Sequence, residues 1–471
     1  MESSRHSARC STRANRSWAR RTVAAVALVA VSSAPVAFEL APATVSAAPA
    51  PDTLGAGGEY HPLTPARIYD SRAATAVNEP SPGAKPATPA QPTFDIDLLG
   101  VGGIPDRPAD VLAVVVNITV TEPTAAGWLN AYGAGASSGL ASIVNYTTGQ
   151  TVPNLSIVRP GANGDLTVKL FTQNASATAH VVVDVFGWFS TSSNADRGAR
   201  LVPITPGRLL DTREGAGVPL GRAGSVEVQV RGATLSTGQV LGAGSDIVGV
   251  VLNVTGINQQ ADSTGTFLSV VPTLTAGVPP STSNVNLSRG QIKPNMVIVP
   301  VGADGKIRLY NHAGSAHVAV DVAGYLTTTA PGARAGRVVP LTTPYRVFDT
   351  RETQWGAVAL GPGQAEDWSF ADFVNSVRID GQWVGAQSAV IGNLTSAELK
   401  RQYSTVAVSS YLTVYPSDQP RPNASNVNMV EGAPVPNLAI MKYGTASTVR
   451  VFNLAGFNHY LYDASAVVLA D

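Results

Sequence analysis

Apolar residues in this chain come in runs of five to eight that either alternate with polar residues or continue unbroken, each bounded by Gly, Pro, Asn or Ser. That pattern predicts short β-strands joined by tight turns, as in a β-sandwich or barrel. The 45 Gly and 33 Pro interrupt the chain too often for long helices. Past the first fifty residues no stretch keeps a helical period over three turns, and Asp367 to Val377 is the nearest candidate for a short surface helix.

The pattern also repeats, with a period near 140 residues. PLTPARIYDSR (62–72), PITPGRLLDTR (203–213) and PLTTPYRVFDTR (340–351) share a Pro, then Arg67, Arg208 or Arg346, two apolar residues, Asp70, Asp211 or Asp349, and finally Arg72, Arg213 or Arg351. The same order of landmarks follows each time. NIT (117–119), NVT (253–255) and NLT (393–395) precede WLNAY (128–132), FLSVV (267–271) and YLTVY (411–415). SIVN (142–145) and two SNVN segments (283–286, 425–428) lead to Pro-Asn pairs ending at Asn154, Asn295 and Asn437. Asn163-Gly164 and Asp304-Gly305 suit a type I′ hairpin turn, with the weaker Tyr443-Gly444 in the third copy. HVVVD (180–184), HVAVD (317–321) and HYLYD (459–463) close the copies. The expectation is an all-β protein of three tandem homologous sandwich or barrel-like modules at 55–195, 198–330 and 335–471. Short Ser/Thr/Ala/Gly-rich joints between them (190–200 and 327–337) should act as limited hinges.

Residues 1–47 have the layout of a signal peptide: Arg5, Arg9, Arg13, Arg16, Arg20 and Arg21, an apolar run from Val23 to Val31, and Val45-Ser46-Ala47 as a small-x-small cleavage site. The run is shorter than the ~20 residues that span a bilayer. Arg20-Arg21 fits twin-arginine export, but Thr22-Val23-Ala24 lacks the bulky apolar pair that usually follows, so ordinary secretion is expected. Without these residues 26 basic and 30 acidic side chains remain, a net charge of about −4, which offers no footprint for nucleic acid. Cys10, the only cysteine, falls in the removed segment. With no disulfide, each module must then stand on its own apolar core, which ~135 residues can provide.

The order P-x-R-hydrophobic-hydrophobic-D-T-R, N-V-T, S-x-V-N, P-N and a closing D-V-x-G-Y/W resembles a repeat of secreted and cell-envelope proteins of high-GC Gram-positive bacteria. In that family the repeat stands beside peptidoglycan-cleaving or proteolytic domains, or in tandem alone. The resemblance covers nearly all of the mature chain and implies an extracellular location, but it carries no activity. The third copy departs from it after Asp463, where Ala464-Ser465-Ala466 puts the end of the last strand in doubt.

Alternation places His180 with Asp184, His317 with Asp321, and His459 with Asp463 on one strand face. Such a pair is two-thirds of a catalytic triad, yet an enzyme seldom keeps three identical sites. We therefore expect these residues, with the Arg and Asp of the D-T-R motif, to form a buried structural cluster tying the first and last strands of each module together. Gly135-Ala136-Ser137-Ser138-Gly139 matches G-x-S-x-G, but it lies in a loop with no helix after it and is absent from the other copies. No metal site or cofactor is expected: the mature chain has five His, only His312 and His317 are close in sequence, and no calcium loop is present. The NIT, NVT and NLT triplets fit the glycosylation sequon but lie in apolar runs, so an Asn serving the backbone at a strand end is the expected role.

Repeat three holds half of the 30 aromatics, with Trp355, Trp368 and Trp383 between its D-T-R motif and its NLT strand. They are candidates for a sugar-stacking surface, against extra core packing. The sequence thus points to a secreted, non-catalytic protein that binds or adheres to a cell-wall or extracellular polysaccharide, or to another envelope protein. It has no transmembrane span in the mature chain and no C-terminal sorting motif, so surface attachment would be non-covalent. The alternatives are an extracellular hydrolase and a purely structural spacer or assembly subunit.

Overall fold

The computed structural model describes residues 55–471 apart from 73–92, 140, 173, 175, 193, 195, 216, 258–264 and 402–406; the expected signal segment lies outside the described residues. Each repeat supplies two four-stranded antiparallel sheets. In the first, β1 (Tyr60–Asp70), β8 (His180–Ser190), β3 (Val111–Thr121) and β6 (Val152–Val158) form an inner sheet in that order. Its outer sheet is β2 (Thr93–Asp97), β7 (Asp165–Thr172), β4 (Gly127–Gly133) and β5 (Val144–Tyr146). In the second the inner order is β9 (Arg200–Asp211), β16 (His317–Thr327), β11 (Ile247–Ile257) and β14 (Ile292–Pro300), and the outer order is β10 (Ser225–Gln229), β15 (Lys306–Asn311), β12 (Thr266–Val271) and β13 (Val285–Leu287). The third repeats this with β17 (Val338–Asp349), β26 (Phe457–Leu469), β21 (Gln387–Lys400) and β24 (Val435–Lys442) inside, and β18 (Ala365–Ser369), β25 (Thr448–Asn453), β22 (Ser409–Pro416) and β23 (Val427–Val430) outside. It adds a helix, α1 (Ala371–Ser376), and a small hairpin of β19 (Arg378–Ile379) and β20 (Gln382–Trp383). The expected helix at 367–377 is therefore half strand, because Glu366 and Trp368 alternate inward from β18 before Phe370 turns the chain. The Pro-rich motif lies on edge strands β1, β9 and β17, where a missing N–H breaks no central ladder.

Within each repeat the two sheets pack face to face. Ile68, Val116, Ile118 and Val183 of the first inner sheet meet Leu129, Leu166 and Val168 of its outer sheet, and Val250, Leu252 and Val320 meet Leu268 and Ile307 in the second. The opposite face of each inner sheet is also buried. Val115, Leu155 and Ile157, their counterparts Val251, Met296 and Ile298, and their counterparts Ile391, Leu438 and Ile440 belong to a single apolar cluster. Every residue of β3 is consequently buried, whereas the outer edge strand β2 alternates with solvent. The unbroken and the alternating runs of the sequence correspond to these two environments. Burying one such side chain contributes about 1.5–3 kcal/mol, so exposing this face in an isolated repeat would remove a large share of the ~5–15 kcal/mol net stability of a typical domain.

The asparagines of the recurring motifs lock this shared core in a closed cycle. Asn295 Nδ2 of the second repeat donates to Asn117 Oδ1 of the first (2.9 Å), Asn437 Nδ2 of the third to Asn253 Oδ1 of the second (2.7 Å), and Asn154 Nδ2 of the first to Asn393 Oδ1 of the third (2.9 Å). The amide oxygens of Asn295, Asn437 and Asn154 accept the backbone N–H of Leu155, Met296 and Leu438 across the same three boundaries. Asn117, Asn253 and Asn393 donate in turn to the carbonyls of Ser283, Ser425 and Ser142 in the neighbouring repeat. These N-x-T asparagines lie mid-strand and bridge repeats, so the expected strand-end role is corrected, and burial denies them to glycosylation.

The strand starts close the cycle at one end. Gly58 bridges Val338, Tyr60 bridges Ala199, and Leu201 N–H donates to Gly336 O (2.9 Å). Glu59, Arg200 and Arg337 each stand three residues before the motif Pro, and Glu59 accepts from Arg200 Nε (2.9 Å) and Arg337 Nη2 (3.4 Å). The expected hinges are thus pinned, and the repeats share a core where each was expected to stand alone. The last strand also runs unbroken through Ala464-Ser465-Ala466 to Leu469, with Ala464 and Ala466 paired to β21.

Scanning calorimetry of residues 48–471 should accordingly show one cooperative transition. Residues 198–330 made alone should fail to give a folded monomer, because Val251, Met296 and Ile298 would face water. Three separable transitions, or a stable monomeric fragment, would refute the shared core.

Candidate functional site

The D-T-R motif ends the first strand of each repeat and clamps it to the last. Asp70 Oδ1 accepts the N–H (3.0 Å) and Nε (2.9 Å) of Arg72, and Asp70 Oδ2 accepts from Arg67 Nη1 (3.0 Å). Arg67 Nε reaches Asp184 Oδ1 at 2.9 Å. The arrangement recurs around Arg208, Asp211, Arg213 and Asp321, and around Arg346, Asp349, Arg351 and Asp463. The middle residue of the motif is also used: the hydroxyls of Ser71, Thr212 and Thr350 accept the N–H of Val181, Val318 and Tyr460 (2.9 Å each).

The histidines pair with those same hydroxyls. His180 Nδ1 lies 2.9 Å from Ser71 Oγ, His317 Nδ1 3.1 Å from Thr212 Oγ1, and His459 Nδ1 3.2 Å from Thr350 Oγ1. The aspartates four residues on bond instead to arginine.

Asp70 is buried, which favours its neutral form, but the hydrogen bonds and charge of Arg72, helped by Arg67, outweigh this and hold its carboxyl below the usual range; Asp211 and Asp349 behave alike. At Asp184, Asp321 and Asp463 burial wins over the arginine and the pKa moves up. These aspartates stand opposite Asn117, Asn253 and Asn393 in the strand register, which puts them on the face turned to the next repeat. Asp321 Oδ2 accepts the N–H of Ser425 in repeat three (3.1 Å). The cluster expected to tie strands within a module therefore also faces the inter-repeat boundary.

The G-x-S-x-G loop follows β4 without a helix, and Ser137 is exposed. His312 is exposed and stacks on Phe267, away from the His317–Thr212 contact. Among the described residues no group of three His, Cys, Asp or Glu is placed to hold a metal ion. One carboxylate pair escaped the sequence reading: Asp97 and Asp165 face each other across β2 and β7, and partial burial together with Asp97 pushes Asp165 up to about 6. The pair lies on an open sheet edge.

Of the three tryptophans proposed for sugar stacking, two pack inward. Trp368 stacks on Phe348 (4.4 Å between centroids, 15°) and donates Nε1 to Tyr460 Oη (2.8 Å), and Trp355 meets Trp368 edge-on at 6.1 Å. Both lie against the shared core. Trp383 alone is exposed, at 50%, with Nε1 donating to Val374 O (3.0 Å). The three do not form a common platform, because the aromatic surplus of repeat three fills the space between β18, β17 and β26.

The outer sheets carry aromatics that the sequence reading did not single out as surface residues. Trp128, Phe267 and Tyr411 occupy the same position in β4, β12 and β22, each opposite an asparagine of the S-x-V-N motif. Trp128 stacks on Phe171 (3.5 Å, 15°) and Phe267 on His312 (4.4 Å, 14°), while Tyr411 lies 6.2 Å from Phe452, whose face Arg421 covers at 4.0 Å. All three are half-buried. Their recurrence at the head of WLNAY, FLSVV and YLTVY was the available signal.

Two outcomes test these assignments. Asp184→Ala should cost about 3–5 kcal/mol by breaking a buried ion pair, and Asp321→Ala ~1–3 kcal/mol more, because Ser425 N–H loses its acceptor as well; urea midpoints showing equal losses would contradict the boundary role. Asp165 holds a proton in the folded state at pH values where the unfolded chain has lost it, so its contribution is present at low pH and lost as pH rises through about 6. Asp165→Asn should therefore raise the melting temperature at pH 7 while leaving it unchanged near pH 4.

No family model matches the chain, and no curated protein matches it. Among solved structures, similarity extends to the N-terminal CBM22-1–CBM22-2 tandem domain of Paenibacillus barcinonensis Xyn10C, at 13% identity and a TM-score of 0.16 over 60% of this chain and all of that one. It extends also to the triple jelly-roll protein of an archaeal virus turret (10% identity, TM-score 0.16, 87% and 90% of the two chains) and to a Sulfolobus turreted icosahedral virus chain (9%, 0.15, 81% and 86%). Scores this low carry no argument about function.

Proposed function

We propose that the protein is an exported, non-catalytic block of the cell envelope or extracellular matrix, whose three outer sheets are its working surfaces and whose ligand is an extended polysaccharide. The observation that carries this reading is the recurrence of Trp128, Phe267 and Tyr411 at one register position of the sheets turned away from the shared core. The repeated polar residues that could have suggested catalysis are engaged in strand clamps and inter-repeat bonds, which supports a scaffold and disfavours the hydrolase. Flat half-exposed rings suit the apolar faces of sugars, and three such positions in one chain engage separate segments of a polymer network, so that avidity exceeds any single contact.

The test is retention of the mature protein on insoluble cell-wall polysaccharide and on peptidoglycan. Each of Trp128→Ala, Phe267→Ala and Tyr411→Ala should weaken retention modestly, and the triple variant by more than tenfold, with the melting transition preserved. A triple variant retained like the parent would remove the outer sheets from the binding account and leave a purely structural block.

A further inference from the structure

The cycle of repeats has two ends, and they are treated differently. At the strand-start end the equivalent positions hold Glu59, Arg200 and Arg337, so the buried arginines find a carboxylate in the protein itself. At the other end the equivalent positions, each one residue before a motif Pro, hold Val152, Lys293 and Val435. A small pocket opens there between the repeats, lined among others by Pro153, Pro294 and Pro436, the prolines of the three Pro-Asn pairs. Lys293 Nζ is buried in this wall and has no hydrogen-bond partner.

The rest of the lining is suited to negative charge. It contains no Asp or Glu. Asn145, Asn286 and Gln150 all border it, and each amide oxygen is already engaged, by Ser142 Oγ (2.8 Å), Ser283 Oγ (3.1 Å) and Thr147 N–H (3.2 Å). Their NH₂ groups are left as the free half of each amide. An ammonium group taken out of water without a partner costs several kcal/mol unless it loses its proton or gains a counter-charge. Burial lowers the Lys293 amine to about 8, which leaves it mostly protonated at neutral pH. Among the described residues, Glu59 stands against two arginines at one end and no carboxylate bonds Lys293 at the other.

We propose that this pocket is an oxyanion site, in which Lys293 and the amides of Asn145, Asn286 and Gln150 take a small carboxylate or phosphate group at the meeting point of the three repeats. Asn145 and Asn286 belong to outer-sheet strands β5 and β13, opposite Trp128 and Phe267, but the site does not depend on the polysaccharide proposed for those sheets.

The test uses the mature protein at pH 7 and constant ionic strength, with sodium phosphate or sodium acetate replacing sodium chloride. The parent should gain ~2–4 °C in melting temperature with a saturable dependence on one of the two anions, and calorimetric titration with that anion should give one site per chain. The anion that acts identifies the headgroup as phosphate or carboxylate. Lys293→Val, which carries the residue of both sibling positions, should melt higher than the parent in chloride and should not respond; Lys293→Met, of similar length, should behave the same way. Equal responses in parent and variants, or no response in the parent, would overturn the proposal.

Discussion

Burial of the inner sheets on both faces is the constraint on which the rest depends. A sandwich with one apolar outer face cannot remain in water alone, and here three such faces meet, each covering the next. Strand backbones already use their own N–H and C=O groups in the ladders, so an entirely apolar meeting would be tight but unspecific in register. The asparagine cycle supplies that specificity. Each Pro-Asn side chain bonds a carbonyl of its own repeat, an asparagine of the next and a backbone N–H of the next. A shift of one strand residue would strand all three groups in an apolar interior, at about 1–3 kcal/mol each.

Fusing three copies into one chain permits what three identical subunits could not achieve. Positions close to a threefold axis are brought together in triplicate, and three identical arginines there would repel. Sequence divergence between the copies resolves this by placing Glu59 where the others carry Arg200 and Arg337, so that one carboxylate offsets both guanidinium groups. The same freedom allows a single lysine among valines at the opposite end. Departures from threefold equivalence at the axis therefore carry information that the repeated residues do not.

Much of the architecture was legible in the sequence because strands and turns are encoded locally. The landmark order gave the strand sets, and the alternating and unbroken runs correspond to half-buried and doubly buried strands. That Asp184 would have a partner followed from the demand on a charge near a valine-rich strand, but the choice of Arg67 over an arginine two positions past the Asp or over its own His did not. What the sequence could not show was contact between repeats, which depends on how finished sheets meet. Asn117 in an apolar run reads the same whether it serves its own strand or bonds Asn295, and Trp368 reads the same whether it faces solvent or stacks on Phe348. The His–Asp spacing could not name partners for a related reason: a shared strand face says two side chains point the same way, but four residues of separation leaves each to find a nearer partner, Ser71 for His180 and Arg67 for Asp184.

Repetition itself bears on how function should be sought in such a chain. Residues common to all three copies fall into two groups with different environments. The arginine–aspartate clamps and the asparagines are buried between strands and repeats, so their recurrence is accounted for by assembly. Trp128, Phe267 and Tyr411 also recur, yet they sit on the outer-sheet faces opposite those that build the sandwich cores, and aromatic surface there is an unfavourable exposure to water that folding does not require. The partners around them have meanwhile diverged, to Phe171, His312 and the Phe452–Arg421 pair. A fixed ring in a changing setting is the arrangement expected when one chemical preference, stacking on an apolar face, is kept while the details of each contact vary.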